Sequence, residues 1–169
     1  KTDKKYLNDI TDLKRKKLIS GYSQRVNAGA LLSHKDSTSL ALVNGIDPDK
    51  EKTVTVMHKK IIKGRFLTSE DSTHVVVGKT LAKNLEMKVG SKIALISQGF
   101  GGRVAAEYLT VVGIFKSGNP KYDMTTVLMP LKQASETFSM EGYISSIVVK
   151  VSNISNVDDV KTRFIKLSK

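Results

Sequence analysis

The chain has no cysteine among its 169 residues, and this absence limits its chemistry at once. Disulfides, cysteine-ligated zinc and thiol catalysis are all excluded. Tryptophan is absent too, and aromatic residues make up only 6% of the chain, without the interleaving of aromatic and basic residues that RNA-recognition strands show. With 40% hydrophobic and 26% charged residues, the composition still predicts a globular protein.

Long apolar runs are also missing. No segment offers the roughly 18 apolar residues that a membrane helix needs. The first residues, K-T-D-K-K, contain no apolar stretch of the kind found in a secretory leader. Because the sequence opens on Lys1 and not on methionine, we expect it to be a fragment or a processed chain.

Acidic residues are few relative to basic ones. The chain carries 28 Lys and Arg against 16 Asp and Glu, a net charge of +12. Such an excess is typical of nucleic-acid-binding modules, but here only residues 14–17 (K-R-K-K) form a dense basic run. We interpret the excess as a lysine-rich solvated surface and expect no nucleic-acid partner. A basic nucleic-acid-binding module remains the alternative function, and attraction to an anionic membrane or an acidic partner is a third.

Hydrophobic periodicity predicts a mixed α+β chain. Helices are expected over 4–17, 79–87, 131–138 and 156–167, and strands over 21–32, 38–46, 75–77, 92–97, 107–116, 125–129 and 145–151. Residues 50–62 fit more than one structure. Asp47-Pro48 ends a strand, residues 98–102 (Q-G-F-G-G) form a glycine-rich hairpin tip, and residues 117–120 (S-G-N-P) mark a boundary.

One stretch resembles a phosphate-binding loop in its local sequence. Residues 73–80 read T-H-V-V-V-G-K-T, and a helix is expected directly after them. The nucleotide-binding pattern requires a glycine five positions before Gly78, so that the loop can wrap the phosphates with its backbone amides. Thr73 stands there, and the valines between form a β run. We therefore predict a strand-to-helix turn and no nucleotide.

No catalytic set emerges from the sequence. Residues 21–25 (G-Y-S-Q-R) lack the last glycine of a nucleophile elbow, and no histidine has a ligand spacing. The sequence thus predicts no enzyme, no cofactor and no metal site. A hydrolase assembled from distant residues (Ser23, His58 and His74) is kept as a further hypothesis.

A series of short motifs carries a family resemblance. They read V-N-G-I-D-P at 43–48, I-K-G-R-F-L at 62–67, V-V-V-G-K-T-L-A-K-N-L at 75–85, K-V-G-S-K-I at 88–93 and T-V-V-G-I-F at 110–115. In this order and spacing they resemble the extracytoplasmic core domain of MacB/FtsX-type ABC transporter permeases. The resemblance is greatest to the lipoprotein-releasing LolC/LolE subfamily.

The resemblance implies a noncatalytic domain of an inner-membrane permease, placed on the periplasmic side. It would couple cytoplasmic ATP hydrolysis to release or export of a lipoprotein, peptide or amphiphile. Its partners would be an ABC ATPase and a second permease subunit. It further implies two lobes: a Porter-like lobe from residues 1–45 and 118–169, and an inserted Sabre-like lobe from residues 46–117.

The chain departs from the family at one hairpin. LolC-type members carry a long, proline-containing Hook that recruits a chaperone. Residues 98–106 here are short, rich in glycine and free of proline, so no chaperone-capturing Hook is expected and the chain is LolE-like or exports another cargo. We expect cargo or partner contact at the hairpin tip, through Phe100, Gly101, Gly102 and Arg103, because an exposed phenylalanine between glycines either packs or binds.

Overall fold

The fold is described by a computed structural model, which covers residues 4–98, 102 and 104–167. The helices are α1 (Lys4–Arg15), α2 (Pro48–Val54), α3 (Lys79–Asn84), α4 (Pro120–Thr125), α5 (Leu131–Thr137) and α6 (Val157–Leu167). The strands are β1 (Ile19–His34), β2 (Ser37–Ile46), β3 (Ile61–Gly64), β4 (His74–Gly78), β5 (Lys92–Gln98), β6 (Val104–Phe115), β7 (Thr126–Pro130) and β8 (Ser146–Val151). The predicted α+β class is confirmed. Within the described residues, no helix has the length and apolar character to cross a membrane.

Six of the strands close into a ring. Hydrogen-bonded neighbours follow the order β1-β2-β7-β4-β6-β5 and return to β1, while β8 and β3 extend the sheet from β1 and β6. Most pairs are antiparallel, but β2 with β7 and β4 with β6 are parallel. The long strand β1 makes the closure, because its second half pairs with both β2 and β5, whereas its first half pairs with β8.

Alternate residues of the ring strands fill its interior, as the two-residue period of a strand requires. Helices α3 and α5 contribute further apolar side chains to the same cluster. Its members include Val26, Leu32, Val43, Val75, Val77, Leu81, Leu85, Ile93, Leu95, Leu109, Val127, Met129 and Phe138. Residues from both ranges assigned to the two lobes thus share one apolar cluster. The two-lobe division itself stays a prediction.

The chain termini form a second layer. Ile10 and Leu13 of α1 and Val160 of α6 pack against Ile19 at the start of β1. Arg163 of α6 donates to Asp12 at 2.6 Å and so links the two helices. Hydrogen bonds from Arg15 and Lys16 lower the pKa of Asp12 to about 2.

Two short helices begin at an Asx-Pro pair. Asp47 caps α2 by accepting from the backbone of Asp49 and Lys50, and Pro48 follows at the first helical position. Asn119 and Pro120 begin α4 in the same way. The sequence interpretation recognised both prolines as interruptions but predicted neither helix. Six or seven residues are too few to show a helical period.

Candidate interaction surface

The predicted contact residues lie at the hairpin between β5 and β6. These strands pair in antiparallel register from Lys92 opposite Thr110 to Gln98 opposite Val104, so the predicted hairpin is confirmed. Gly102 is exposed and has a φ of +84°. Phe100, Gly101 and Arg103 lie outside the described residues, so their predicted contact role stays a prediction.

An exposed apolar surface adjoins this hairpin. We call it the bare face: the outward side chains of Leu31, Leu40, Leu42, Ile96, Val104 and Tyr108. Registered pairs connect them across four strands, since Leu40 lies opposite Leu31, Leu31 opposite Ile96, and Ile96 opposite Ala106. The exposed fraction reaches 64% for Leu40, 75% for Val104 and 81% for Tyr108.

The positions beside these side chains are small or uncharged. Gly29 lies opposite Leu42, and Ser33 lies opposite both Thr38 and Ala94. The acidic residue of this part of β6, Glu107, is half-buried and accepts hydrogen bonds from Gln133 of α5 at 3.0 and 3.1 Å. The surface is shallow and open, with a depression of about 560 Å³ between Leu31, Leu40, Ile96 and Val104.

A different part of the ring exterior is covered. We call it the covered face: the cluster of Ile46, Leu67, Val76, Phe115 and Leu128, all almost fully buried. Tyr122 of α4 packs here, with its ring 5.7 Å from that of Phe115. Burial raises the pKa of Tyr122 above its ordinary value.

A charged clamp holds the loop that covers this face. Arg65 donates to both carboxylate oxygens of Asp71, at 2.7 and 2.8 Å, and the backbone amide of Thr68 donates to Asp71 at 2.8 Å. These bonds, led by those from Arg65, hold the pKa of Asp71 well below its usual range. The same pairing raises the pKa of Arg65.

A buried carboxylate fixes α2 to the sheet. Glu51 is only 2% exposed, and it accepts from Ser23 at 3.0 Å and from Arg25. Both donors stand on β1, so the arrangement pairs the charge and satisfies its oxygens. Sequence interpretation missed this site because Glu51 is 28 residues from Ser23 and 26 residues from Arg25 along the chain.

The Gly-Lys-Thr motif lies at a strand-to-helix turn, as predicted. Residues 74–78 pair with both β6 and β7 and therefore form a strand, not a loop that could wrap a phosphate. A Cβ on Gly78 would stand 2.2 Å from the carbonyl oxygen of Asp123, so the glycine allows α4 to approach β4. Lys79, Lys83 and Lys116 line an open depression of about 310 Å³ beside it.

The residues of the hydrolase hypothesis have separate neighbours and do not contact one another in the interactions that the structure shows. Ser23 donates to Glu51. His58 packs edge-on against Phe66, with 6.3 Å between ring centres. His74 places Nδ1 2.8 Å from a carboxylate oxygen of Asp71. Within the described ranges, no cluster of three or more histidine, aspartate and glutamate residues could hold a metal.

The bare face was missed by sequence interpretation, although a signal was present. Residues 40–43 read L-A-L-V, and Leu31 and Leu32 are adjacent, so apolar side chains fall on both sides of β1 and β2. A run with apolar residues at both odd and even positions is typical of a strand that is covered on both faces. In the described part of the chain, the outer cover is lacking over these strands.

Comparison with known proteins agrees with this fold. The sequence profile described as MacB-like periplasmic core domain matches residues 3–167. The extracellular domain of the noncanonic ABC-type transporter YknZ from Gram-positive bacteria is similar, with a TM-score of 0.67 and 17% identity over 90% of this chain and 75% of that chain. The periplasmic region of MacB from Actinobacillus actinomycetemcomitans has a TM-score of 0.65 and 17% identity, over 95% and 72%.

A domain of a putative permease from Porphyromonas gingivalis is also similar, with a TM-score of 0.58 and 12% identity over 94% and 75% of the two chains. No curated protein sequence matches this chain. At these identities the structural likeness shows the fold, whereas the profile covers nearly the whole chain. The chain therefore belongs to the family of MacB-like periplasmic core domains, the extracytoplasmic parts of ABC transporter permeases.

Proposed function

We propose that this domain is a noncatalytic element that couples ATP hydrolysis by a cytoplasmic ABC ATPase to release or export of a lipoprotein, peptide or amphiphile. The observation that carries the proposal is the match of residues 3–167 to the periplasmic core domain of a permease family. Its partners are the ATPase and a second permease subunit. Its place is the outer side of the inner membrane.

The closed ring suits a part that transmits movement. Packed side chains fill its interior, and α2 is held to it by Glu51. Such an element moves as a rigid body when the helices attached to its ends move. In our proposal the Porter-like and Sabre-like ranges, 1–45 with 118–169 and 46–117, are the two parts through which the motion passes.

We place the chain nearest to the LolC/LolE subfamily on its motif series. Because only residues 99–103 join β5 to β6, the hairpin lacks the length of a chaperone-recruiting Hook. We therefore favour a LolE-like role or a cargo other than lipoprotein.

The location is tested by cysteine labelling in the full-length protein. These 169 residues contain no cysteine, so Lys35→Cys adds one exposed target to the domain, and labelling of the unsubstituted full-length protein gives the background. We expect a membrane-impermeant maleimide to label it in intact spheroplasts. Ala41→Cys, which is fully buried, is the matched control and should react only after denaturation. Labelling of Lys35→Cys only after lysis would contradict the proposed location.

Coupling and cargo are tested with the full-length permease and its ATPase in proteoliposomes. We expect one of three cargo classes (lipoprotein, peptide or amphiphile) to stimulate ATP hydrolysis and to be moved. Replacing residues 4–167 by a flexible linker should abolish movement and leave basal hydrolysis. If cargo movement continues without the domain, the coupling role is refuted.

The net charge of +12 favours one alternative function, a nucleic-acid-binding module. Titration with duplex and single-stranded DNA decides between the two. A module of this kind would bind with an affinity that falls steeply as salt rises. We expect no such binding.

A further inference from the structure

We infer that the bare face is an interface between two copies of this chain, packed sheet against sheet. The first observation is the area of the exposed apolar surface. Six large apolar side chains are 41% to 81% exposed on one contiguous surface. Together they expose roughly 600 Å², at the upper end for a monomer's largest patch. A stable interface buries about 800 Å² per partner, so these side chains would supply most of one.

The geometry suits a second sheet. The pairs Leu40–Leu31 and Leu31–Ile96 make a straight apolar row across antiparallel strands. Two such faces interdigitate at about 10 Å when their strands are nearly aligned. A two-fold axis through the row would set each copy's aliphatic side chains against the same set on its partner, as an isologous contact requires.

Charge is kept out of the contact. The outward positions between Thr38 and Leu42 and between Ala94 and Ile96 are uncharged, although the chain carries +12. Among the described residues around this face, the exposed Lys35 and Lys92 stand at one border. Two copies can therefore meet without desolvating a lysine, but their net charges still repel through water. Added salt screens that repulsion and should strengthen the dimer.

Other occupants fit less well. A small molecule needs a pocket that encloses most of its surface, and this depression is open. A bilayer is disfavoured by position. Leu31 lies twelve residues along β1 from Ile19, which packs on the terminal helices, a distance of up to about 40 Å. This last step rests on the proposed function, which attaches those helices to the membrane; the dimer itself does not.

Analytical ultracentrifugation of the 169-residue chain tests the inference. Sedimentation equilibrium would be measured from micromolar concentrations to about 0.5 mM, at about 0.05, 0.15 and 0.5 M NaCl. We expect a monomer–dimer equilibrium whose dimer fraction rises with salt. A chain that stays monomeric at the highest concentration and salt would overturn the inference.

Matched variants locate the contact. Leu40→Lys and Ile154→Lys each add one charge at an exposed apolar side chain, one on the bare face and one far from it in sequence, after β8. We expect Leu40→Lys to weaken dimerisation at least tenfold and Ile154→Lys to change it little. Unchanged melting temperatures would show that both variants fold. Equal weakening by both variants would mean that the contact lies elsewhere and would refute the inference.

Mild oxidation of single-cysteine variants gives an independent readout. Leu40→Cys should form disulfide-linked dimers faster than Ile154→Cys, and dilution should slow both. Vesicles of anionic phospholipid supply the competing outcome. If the chain binds these vesicles, and if both Leu40→Ser and added salt weaken that binding, the bare face contacts lipid and the dimer is refuted. If the chain is monomeric in the ultracentrifuge but Lys35→Cys is still labelled from outside the cell, the dimer is refuted and the proposed function is not.

Discussion

The covered face and the bare face belong to the same ring of strands, yet only the covered face is buried by other described parts of the chain. On the covered face, Val76, Phe115 and Leu128 are almost fully buried beneath α4 and the loop that follows β3. On the bare face, Leu31, Leu40 and Ile96 remain 41% to 64% exposed. Both surfaces are apolar, so composition does not distinguish them.

The difference follows from how the strands are connected. Parallel strands need long connections that cross over the sheet. The connection from β2 to the parallel strand β7 includes the loop after β3 and helix α4, whose Leu67 and Tyr122 pack on the covered face. The antiparallel pairs of the bare face, β1 with β2 and β5 with β6, are joined by short connections, residues 35–36 and 99–103. Such short connections place no helix or long loop over the strands, and among the described residues nothing covers this face.

The largest effect is expected inside the covered face. Phe115→Ala removes a fully buried ring and should lower the free energy of unfolding by about 3–5 kcal/mol. Tyr108→Ala, on the same strand but on the bare face, should change it by less than about 0.5 kcal/mol. Urea unfolding of the dilute monomer measures both. Comparable losses would remove the distinction between the faces.

The next effect concerns the attachment of α2. Glu51→Ala leaves Arg25 without its carboxylate and should cost about 3 kcal/mol in urea unfolding. Asp49→Ala on the same helix breaks an exposed pair with Lys52 and should cost less than about 1 kcal/mol. An equally small loss for Glu51→Ala would show that the buried pair does not hold the helix.

A smaller loss is expected where α4 meets β4. Gly78→Ala puts a Cβ against the backbone of Asp123, so the helix must shift, at a cost of about 1–3 kcal/mol. Gly29→Ala on the bare face has no atom within 4 Å and should be neutral or slightly stabilising. Thermal unfolding of the two variants gives the comparison, and a tolerated Gly78→Ala would contradict the close approach.

The clamp on the covering loop predicts a pH dependence. Because Arg65 lowers the pKa of Asp71 in the folded chain, the bond contributes stability above about pH 4 and loses it as the pH falls further. Asp71→Asn should cost about 1–2 kcal/mol at neutral pH and flatten the acid side of the stability profile. Unfolding measured from neutral pH to about pH 3 tests this. An unchanged acid profile would argue against the clamp.

The smallest effect is expected at the bare face itself. Leu40→Ser removes an apolar side chain that is 64% exposed, so the free energy of unfolding of the dilute monomer should change by no more than about 0.5 kcal/mol. A loss above about 1 kcal/mol would mean that another part of the same chain packs there.

Much of the fold was predictable from short patterns. The β1–β2 hairpin, the strand before Gly78 and helix α6 follow from alternation, polar turns and a 3.6-residue period. Helices α2 and α4 and the short strand β3 did not, because a few residues carry too little periodicity. The Asp47-Pro48 pair was interpreted only as a strand end, although the same residues cap a helix.

The candidate surface was predictable only in part. The glycine-rich hairpin was recognised from its composition, but the bare face beside it was not. Its row joins Leu40, Leu31 and Ile96, which become neighbours only when β1 pairs with both β2 and β5. The buried trio of Glu51, Ser23 and Arg25 likewise depends on how α2 packs onto β1.

The sequence by itself determined the α+β class, the absence of thiol chemistry, the failure of the phosphate-loop pattern at Thr73 and the family motifs. These depend on residue identity and on spacings of a few positions, where local geometry is decisive. Only the tertiary structure decided which apolar residues are covered. Burial depends on which strands become neighbours and on where their connections cross, and both are set by contacts between residues far apart in the chain.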